Sequence, residues 1–360
     1  MKITDVKPLV LRQRFILVKV FTDEGIVGIG ECSPMNAPVI VAMLEHALKP
    51  LVLGEDPFNI ERLWNKMFYA PYKLGPMGAQ LEAISGIDIA LYDIVGKALG
   101  VPAYKLLGGA VRDKVEVYAS SMRRDLTPRQ EAERVEEFAK QGYRAYKMHS
   151  ATPWMFDSGF DQTIKTLKAI RSLAGYDMDL LVDVNNAYTL HRAIQVGRQL
   201  EELKVFHFEE PIAAYDYAGY GKLVEALDIP IAAGEQEYTR WQHRDLITIG
   251  NVDIVQPDVM KSGGITETKK IALLADTYNK SVTVHNTQPT VGTAAHLHFW
   301  ASTPNCRYPQ EYNIEPHPLR DEYPILKEPL IVKDGFLDVP QGPGLGIELD
   351  EKAVAKLMEG

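Results

Sequence analysis

The chain has 360 residues, more than one ordinary domain holds, and 46% of them are hydrophobic, enough for a large buried core. A net charge of −9 with no basic stretch to offset it argues against nucleic acid as a partner. No apolar run approaches the roughly eighteen residues of a membrane span, and the two cysteines, Cys32 and Cys306, lie far apart without ligand-like spacing, as expected of reduced thiols in the cytoplasm.

The first residues, MKITDVKPLVLRQRF, alternate like a strand and lack the apolar stretch of a secretion signal. Strand-like LVLRQRFILVKVFT gives way to Gly-rich DEGIVGIGECSP, then to helical patterns over 39–51, 60–67 and 78–98. Strands followed by helices predict a separate α+β domain over 1–113, ended by the helix stop and turn in LLGGAVRD. From 114 the pattern alternates strand and helix. Eight runs read as strands: VEVYAS, YRAYKMH, LLVDVN, KVFHFE, IPIAAGE, VDIVQP, SVTVHN and CRYPQE. Amphipathic stretches such as PRQEAERVEEFAKQ separate them, which predicts a parallel sheet closed into a (β/α) barrel, a modified TIM barrel, over 114–320. Pro-rich residues 321–360, with a short helix at 351–358, are expected to return and complete the first domain as a cap. Segments 23–38 and 69–77 of that cap contain glycines and small groups suited to a lid.

Asp183, Glu209 and Glu235 follow one another at intervals of 26 residues, each where an apolar run ends. One strand plus one helix takes about that length in a parallel barrel, whose reactive groups sit at the carboxyl ends of its strands. Any one of these carboxylates alone reads as a solvated strand end, but three at matched spacing make a site for a hard divalent cation. Two more runs end in Asp258 and His285, a carboxylate able to fix the tautomer of an imidazole and raise its basicity. Strand alternation puts Lys147 and His149 on one face, with Tyr146 and Met148 under the helices, and Asp183 with Asn185 opposite Val182 and Val184. Lys147 and His149 each have a plain reading as rim residues, and Glu311 ends the last run. Glu210 and His207 read as structural, and His296 and His298 as helix packing or surface residues.

The pieces YKMH, VDVNNAY, FEEP, AAGE, QPDVMKSGGITE, TVHN and PQE together resemble the enolase superfamily, specifically its mandelate racemase subgroup. The similarity spans nearly the whole chain. It implies Mg²⁺ held by Asp183, Glu209 and Glu235, an Asp258–His285 general-base dyad, Lys147 at the substrate carboxylate, and Glu311 bonded to that carboxylate as charge develops on it. Asn185 joins the substrate-binding set. The family's second strand often reads Lys-x-Lys. Here it reads Lys147-Met148-His149, which leaves two-base racemisation in doubt and makes His149 a candidate proton donor. The AAGE and PQE segments lean toward the acid-sugar dehydratases of this branch. The expected reaction is therefore removal of the proton next to a carboxylate, then loss of a β-hydroxyl from an aldonic or aldaric acid. Racemisation, epimerisation or lactone cycloisomerisation share the first step and form the alternative; a non-catalytic metal-dependent sugar-acid binder is the other class. The partner expected is a small carboxylate, and the resemblance also implies a homo-oligomer.

Overall fold

A computed structural model describes residues 1–358. It opens with an antiparallel meander of β1 (Ile3–Leu11), β2 (Phe15–Thr22) and β3 (Val27–Cys32). Helices α1 (Ala37–Ala42), α2 (Lys49–Val52), α3 (Ile60–Tyr69) and α4 (Ala79–Leu99) pack on it around a core that includes Val18, Val20, Trp64, Ile84 and Leu91. The glycines of VGIGEC have a packing reason. A Cβ at Gly30 would stand 1.9 Å from the Gly86 carbonyl, and one at Gly28 2.2 Å from that of Ala90, so α4 lies directly on β3.

Eight parallel strands follow: β4 (Lys114–Ser120), β5 (Ala145–His149), β6 (Asp179–Asp183), β7 (His207–Glu209), β8 (Ile231–Ala233), β9 (Ile254–Val255), β10 (Ser281–Val282) and β11 (Gln310–Asn313). They form one curled sheet in the order β10-β9-β8-β7-β6-β5-β4-β11. Its two ends meet through a side chain. Gln310 accepts from the Val284 N–H at 2.9 Å and donates to the Val282 carbonyl at 3.3 Å, bridging β10 and β11. Between successive strands run α5 (Pro128–Lys140), α6 (Thr163–Ala174), α7 (Leu190–Glu202), α8 (Tyr217–Ala226), α9 (Arg240–Thr248), α10 (Gly264–Thr277) and α11 (Val291–Ala301). The start of α5 is written locally: Thr127 and Gln130 form a reciprocal capping box with Pro128 in the first turn. After β11 the chain makes a helical turn at Pro318–Glu322 and adds β12 (Phe336–Asp338) antiparallel to β4. It ends in α12 (Glu351–Met358), where the Leu357 carbonyl accepts from Arg12 N–H on the β1–β2 turn. Among the described residues no helix is long and apolar enough to cross a membrane.

Two expectations shift in detail. The last barrel strand begins at Gln310 rather than Cys306, because Pro309 has no N–H to give a ladder and Arg307 and Tyr308 are exposed. Glu311 therefore lies inside its strand. The expected strands ending in Glu235, Asp258 and His285 stop two or three residues earlier; Gly234 (φ 139°) turns the chain out of β8 just before Glu235.

The cap docks on the start of α10. Asp88 accepts from the Thr266 N–H and Oγ1 at 3.0 and 2.6 Å, and Trp64 donates to the Gly263 carbonyl at 2.7 Å. A Cβ at Gly264 would fall 2.3 Å from Asp88 Oδ2, at φ 86°, so the paired glycines of SGGITE serve this junction.

Candidate active site

Asp183, Glu209 and Glu235 converge: one carboxylate oxygen from each lies within 4.8 Å of the others, and all three residues are buried. Asp183 Oδ1 accepts from the Asn185 N–H at 2.8 Å, and its Oδ2 faces His149 Nε2 at 2.8 Å. Glu209 Oε1 accepts from Lys147 Nζ at 2.6 Å, and its Oε2 lies 3.2 Å from His207 Nε2. Glu235 Oε1 accepts from Gln236 at 2.8 Å. Burial works to raise Glu209 and Glu235. For Glu209 it is outweighed by Lys147, which holds the acid well below its usual range; Glu235 is raised by burial, with Asp183 and Glu209 adding to the shift and His285 and Lys261 opposing it. Three buried carboxylates converging from three strands, with all-oxygen donors and one shared lysine, leave uncompensated negative charge. That arrangement fits a hard divalent cation.

Beside the triad, His285 Nδ1 donates to Asp258 Oδ2 at 2.7 Å. Asp258 is itself held by the Met260 N–H at 2.6 Å on Oδ1. The carboxylate fixes the imidazole tautomer, which leaves Nε2 directed past Glu235 Oε2, 3.4 Å away. Burial opposes charge on His285, but Glu235, Asp258 and Glu311 outweigh it and raise the ring to about 9. A cation neutralising Glu235 removes the largest of the raising contributions. His296, fully buried, stands behind Asp258 with Nε2 3.7 Å from Oδ1.

The site opens into a cavity of about 910 Å³ between barrel mouth and cap, lined by Glu235, Asp258, His285, His149 and Asn185 among others. Residues 130–353 match the family described as enolase C-terminal domain-like, and residues 6–108 match the mandelate racemase/muconate lactonizing enzyme N-terminal domain. The chain belongs to this family within the enolase superfamily. It is 37% identical over 337 residues to an arabinonate dehydratase of Saccharolobus solfataricus, covering 92% of this chain and 87% of that protein. It is 34% identical to a D-galactarolactone cycloisomerase of Agrobacterium fabrum, over 96% and 91% of the two chains. The crystal structure of a 3,6-anhydro-D-galactonate cycloisomerase from Zobellia galactanivorans superposes with a TM-score of 0.90 at 33% identity, covering 99% of each chain.

In this enolase-superfamily chain the remaining predicted residues take distinct places. Lys147, far from snorkelling at the rim, is fully buried, and its Nζ bonds Glu209 and Glu311 Oε1 at 2.6 and 2.7 Å. Glu311 also accepts from Ser120 Oγ at 2.7 Å and from the Asn286 N–H at 2.8 Å. Like Asp183 and Glu209, the two side chains are absent from the cavity wall, and the pair stands against the triad, with Lys147 Nζ 3.9 Å from Asp183 Oδ2. His149 has both ring nitrogens engaged, Nδ1 by the Ser121 carbonyl and Nε2 by Asp183. Asn185 sits just past β6 in a left-handed conformation (φ 40°), with Nδ2 3.1 Å from Asp183 Oδ2. Glu210 turns away, accepting from Asn186 Nδ2 at 3.0 Å. Of the two lid segments, Ser33–Asn36 reaches the cavity, whereas Tyr69, Tyr72, Pro76 and Met77 line a separate hollow with Trp241.

Several cavity residues escaped the sequence reading, among them Lys261, Glu82 and Arg124. Lys261 donates to the Glu235 carbonyl at 2.6 Å and is nearly buried. Glu82 of α4 accepts from Tyr238 Oη at 3.3 Å. Arg124, in the loop after β4, donates to Asn185 Oδ1. Only Arg124 carried a usable signal. The rule that reactive residues follow the carboxyl ends of barrel strands holds for β4 as for the others.

Proposed function

We propose that the protein is an Mg²⁺-dependent acid-sugar dehydratase, converting an aldonic or aldaric acid to a 2-keto-3-deoxy acid. The observation that carries this is the His285 Nε2, oriented by Asp258 and open to the cavity beside the carboxylate triad. The hydrogen next to a carboxylate is a weak acid, because its loss puts a second negative charge on that group. Mg²⁺ held by Asp183, Glu209 and Glu235 would supply Lewis-acid stabilisation of that charge. His285 takes the α-proton through Nε2, while Asp258 stabilises the imidazolium through Nδ1. Lys147, between Glu209 and Glu311, keeps the buried carboxylates in place by balancing their charge. Loss of the β-hydroxyl as water consumes one proton. His285 returns the one it took when the leaving group lies on its side. The resulting enol tautomerises to the keto acid.

Incubation with a panel of stereochemically defined acid sugars in D₂O tests this reading. Keto-acid formation with solvent deuterium incorporated supports it; α-exchange without keto acid rejects dehydration. The second reading, cycloisomerisation of a lactone or anhydro acid, is favoured by the names of two of the relatives. It shares the abstraction step and predicts an isomer of unchanged mass. A non-catalytic binder would keep the triad and have no use for the dyad.

A further inference from the structure

We propose that His207 is a positioning residue for Glu209, held in one tautomer by a water molecule bound in the floor of the barrel. Side chains two apart on a strand share a face, so His207 lies inward, one layer below Glu209 on β7. Leu181 holds the same place below Asp183 on β6, and the ladder pairs Leu181 with His207 and Asp183 with Glu209. Tyr118 of β4, with Lys147 Nζ 5.7 Å from its ring centre, stands two residues before Ser120, and Thr283 stands two before His285. These four side chains line a cavity of about 10 Å³, room for a single water; exposed Asp179 and Tyr308 form the outer part of its wall. Three of the four carry a buried polar atom that meets no hydrogen-bond partner among the described residues: Tyr118 Oη, His207 Nδ1 and Thr283 Oγ1. Where no protein group reaches such atoms, an ordered water satisfies them.

The ring of His207 gives that water its consequence. Glu209 accepts from Lys147 Nζ through Oε1 at 2.6 Å, and its Oε2 lies 3.2 Å from His207 Nε2. A carboxylate paired with an ammonium can only accept, so Nε2 carries the proton. In the neutral ring Nδ1 is then a bare lone pair, and it needs a donor from the floor. A water that accepts the Tyr118 O–H has two hydrogens to give, one to Nδ1 and one to Thr283 Oγ1. The chain of bonds from Tyr118 through water and His207 ends on Glu209 Oε2, while Lys147 holds the other oxygen. The role of this anchor in metal binding rests on the reading above, in which Glu209 holds Mg²⁺. A ligand carboxylate fixed by its outer partners keeps the orientation that the cation requires.

Three measurements test this, two of them without metal or substrate. In a high-resolution crystal structure of the metal-free protein, one water should lie within hydrogen-bond distance of Tyr118 Oη, His207 Nδ1 and Thr283 Oγ1; a dry floor overturns the proposal. In protein labelled with ¹⁵N-histidine, the ring signals that vanish in His207→Gln should show Nε2 protonated and Nδ1 bare. A ring protonated on Nδ1 overturns the proposal as well. Calorimetric titration with Mg²⁺ then reads the effect on the metal ligand. His207→Leu should weaken Mg²⁺ binding by ~10–100-fold, and His207→Gln, which keeps an N–H for Glu209, should recover most of it. Tyr118→Phe combined with Thr283→Val removes the water's partners with little change of shape and should weaken binding by a smaller factor. His207→Leu binding Mg²⁺ as tightly as wild type, or His207→Gln binding it no better than His207→Leu, overturns the positioning role. Should His207→Leu fail to fold, the floor double variant and the two metal-free measurements decide. If the wild type itself binds no Mg²⁺, the reading of the triad has failed, and the water and tautomer stand or fall on the first two measurements.

Discussion

Two histidine–aspartate pairs stand at the barrel mouth, built of the same atoms and wired differently. In one, His285 gives Nδ1 to Asp258, which lies outside the triad, while Nε2 stands 3.4 Å from Glu235 Oε2 on the side of the cavity. In the other, His149 spends Nε2 on Asp183, a member of the triad, and Nδ1 on the Ser121 carbonyl. An imidazole needs one tethered nitrogen to be oriented and one free nitrogen to move a proton. His285 meets both conditions. His149 is fully tethered, which suits it to orient Asp183. The comparison teaches that proximity of His to Asp does not make a base; the destination of the second nitrogen does.

The largest expected effect tests the first pair. His285→Asn should reduce keto-acid formation by ~10³-fold or more and abolish α-proton exchange with D₂O, in line with the loss of a general base; an exchanging variant places the base elsewhere. Next comes the cation. EDTA-treated protein should be inactive, and Mg²⁺ at about one hundred times its Kd should add ~2.7 kcal/mol of stability, read as a rise in Tm that Glu209→Gln lacks. His149→Asn sharpens the comparison. It should weaken Mg²⁺ binding by ~10–100-fold, measured by titration, as loss of a group that orients a metal ligand does, while saturating Mg²⁺ restores exchange. If exchange stays absent at saturation, His149 handles the proton after all.

The smallest effect lies behind the dyad, where Glu31 of β3 accepts from the Gly292 N–H at 2.6 Å. Burial, its main cause, raises this carboxyl to about 8, with Asp258 adding to the shift. The folded protein then holds a proton that the unfolded chain has lost above its ordinary range. Stability contributed by that proton is complete at low pH and disappears as pH climbs through about 8. Between about pH 5 and 8 the Tm of the wild type should fall more steeply than that of Glu31→Gln, and parallel Tm curves would remove Glu31 from this account.

Much of the site was legible because barrel geometry turns spacing into convergence. Intervals of 26 residues bring Asp183, Glu209 and Glu235 to one mouth, and alternation along YRAYKMH turns Lys147 inward. Depth was not legible. Parity says which face a side chain takes and nothing about its height, so Lys147 and Glu311 read alike as mouth residues while their carboxylate–ammonium contact buries both. Arg124 was missed for the opposite reason: its place after β4 is readable, but it lies in a loop, where no periodicity announces direction.

By itself the sequence determined the alternation of strands and helices, the faces of the barrel strands and the types of group at their ends, since these are set by residues near one another in the chain. Tertiary structure decided the partners: that Gln310 bridges the barrel seam, that Asp88 fixes the cap on Gly264 and Thr266, and which imidazole nitrogen stays free. Those outcomes depend on contacts between segments 26 to 178 residues apart or on the filling of hydrogen-bond capacity around a buried ring, and neither leaves a periodic trace in the chain.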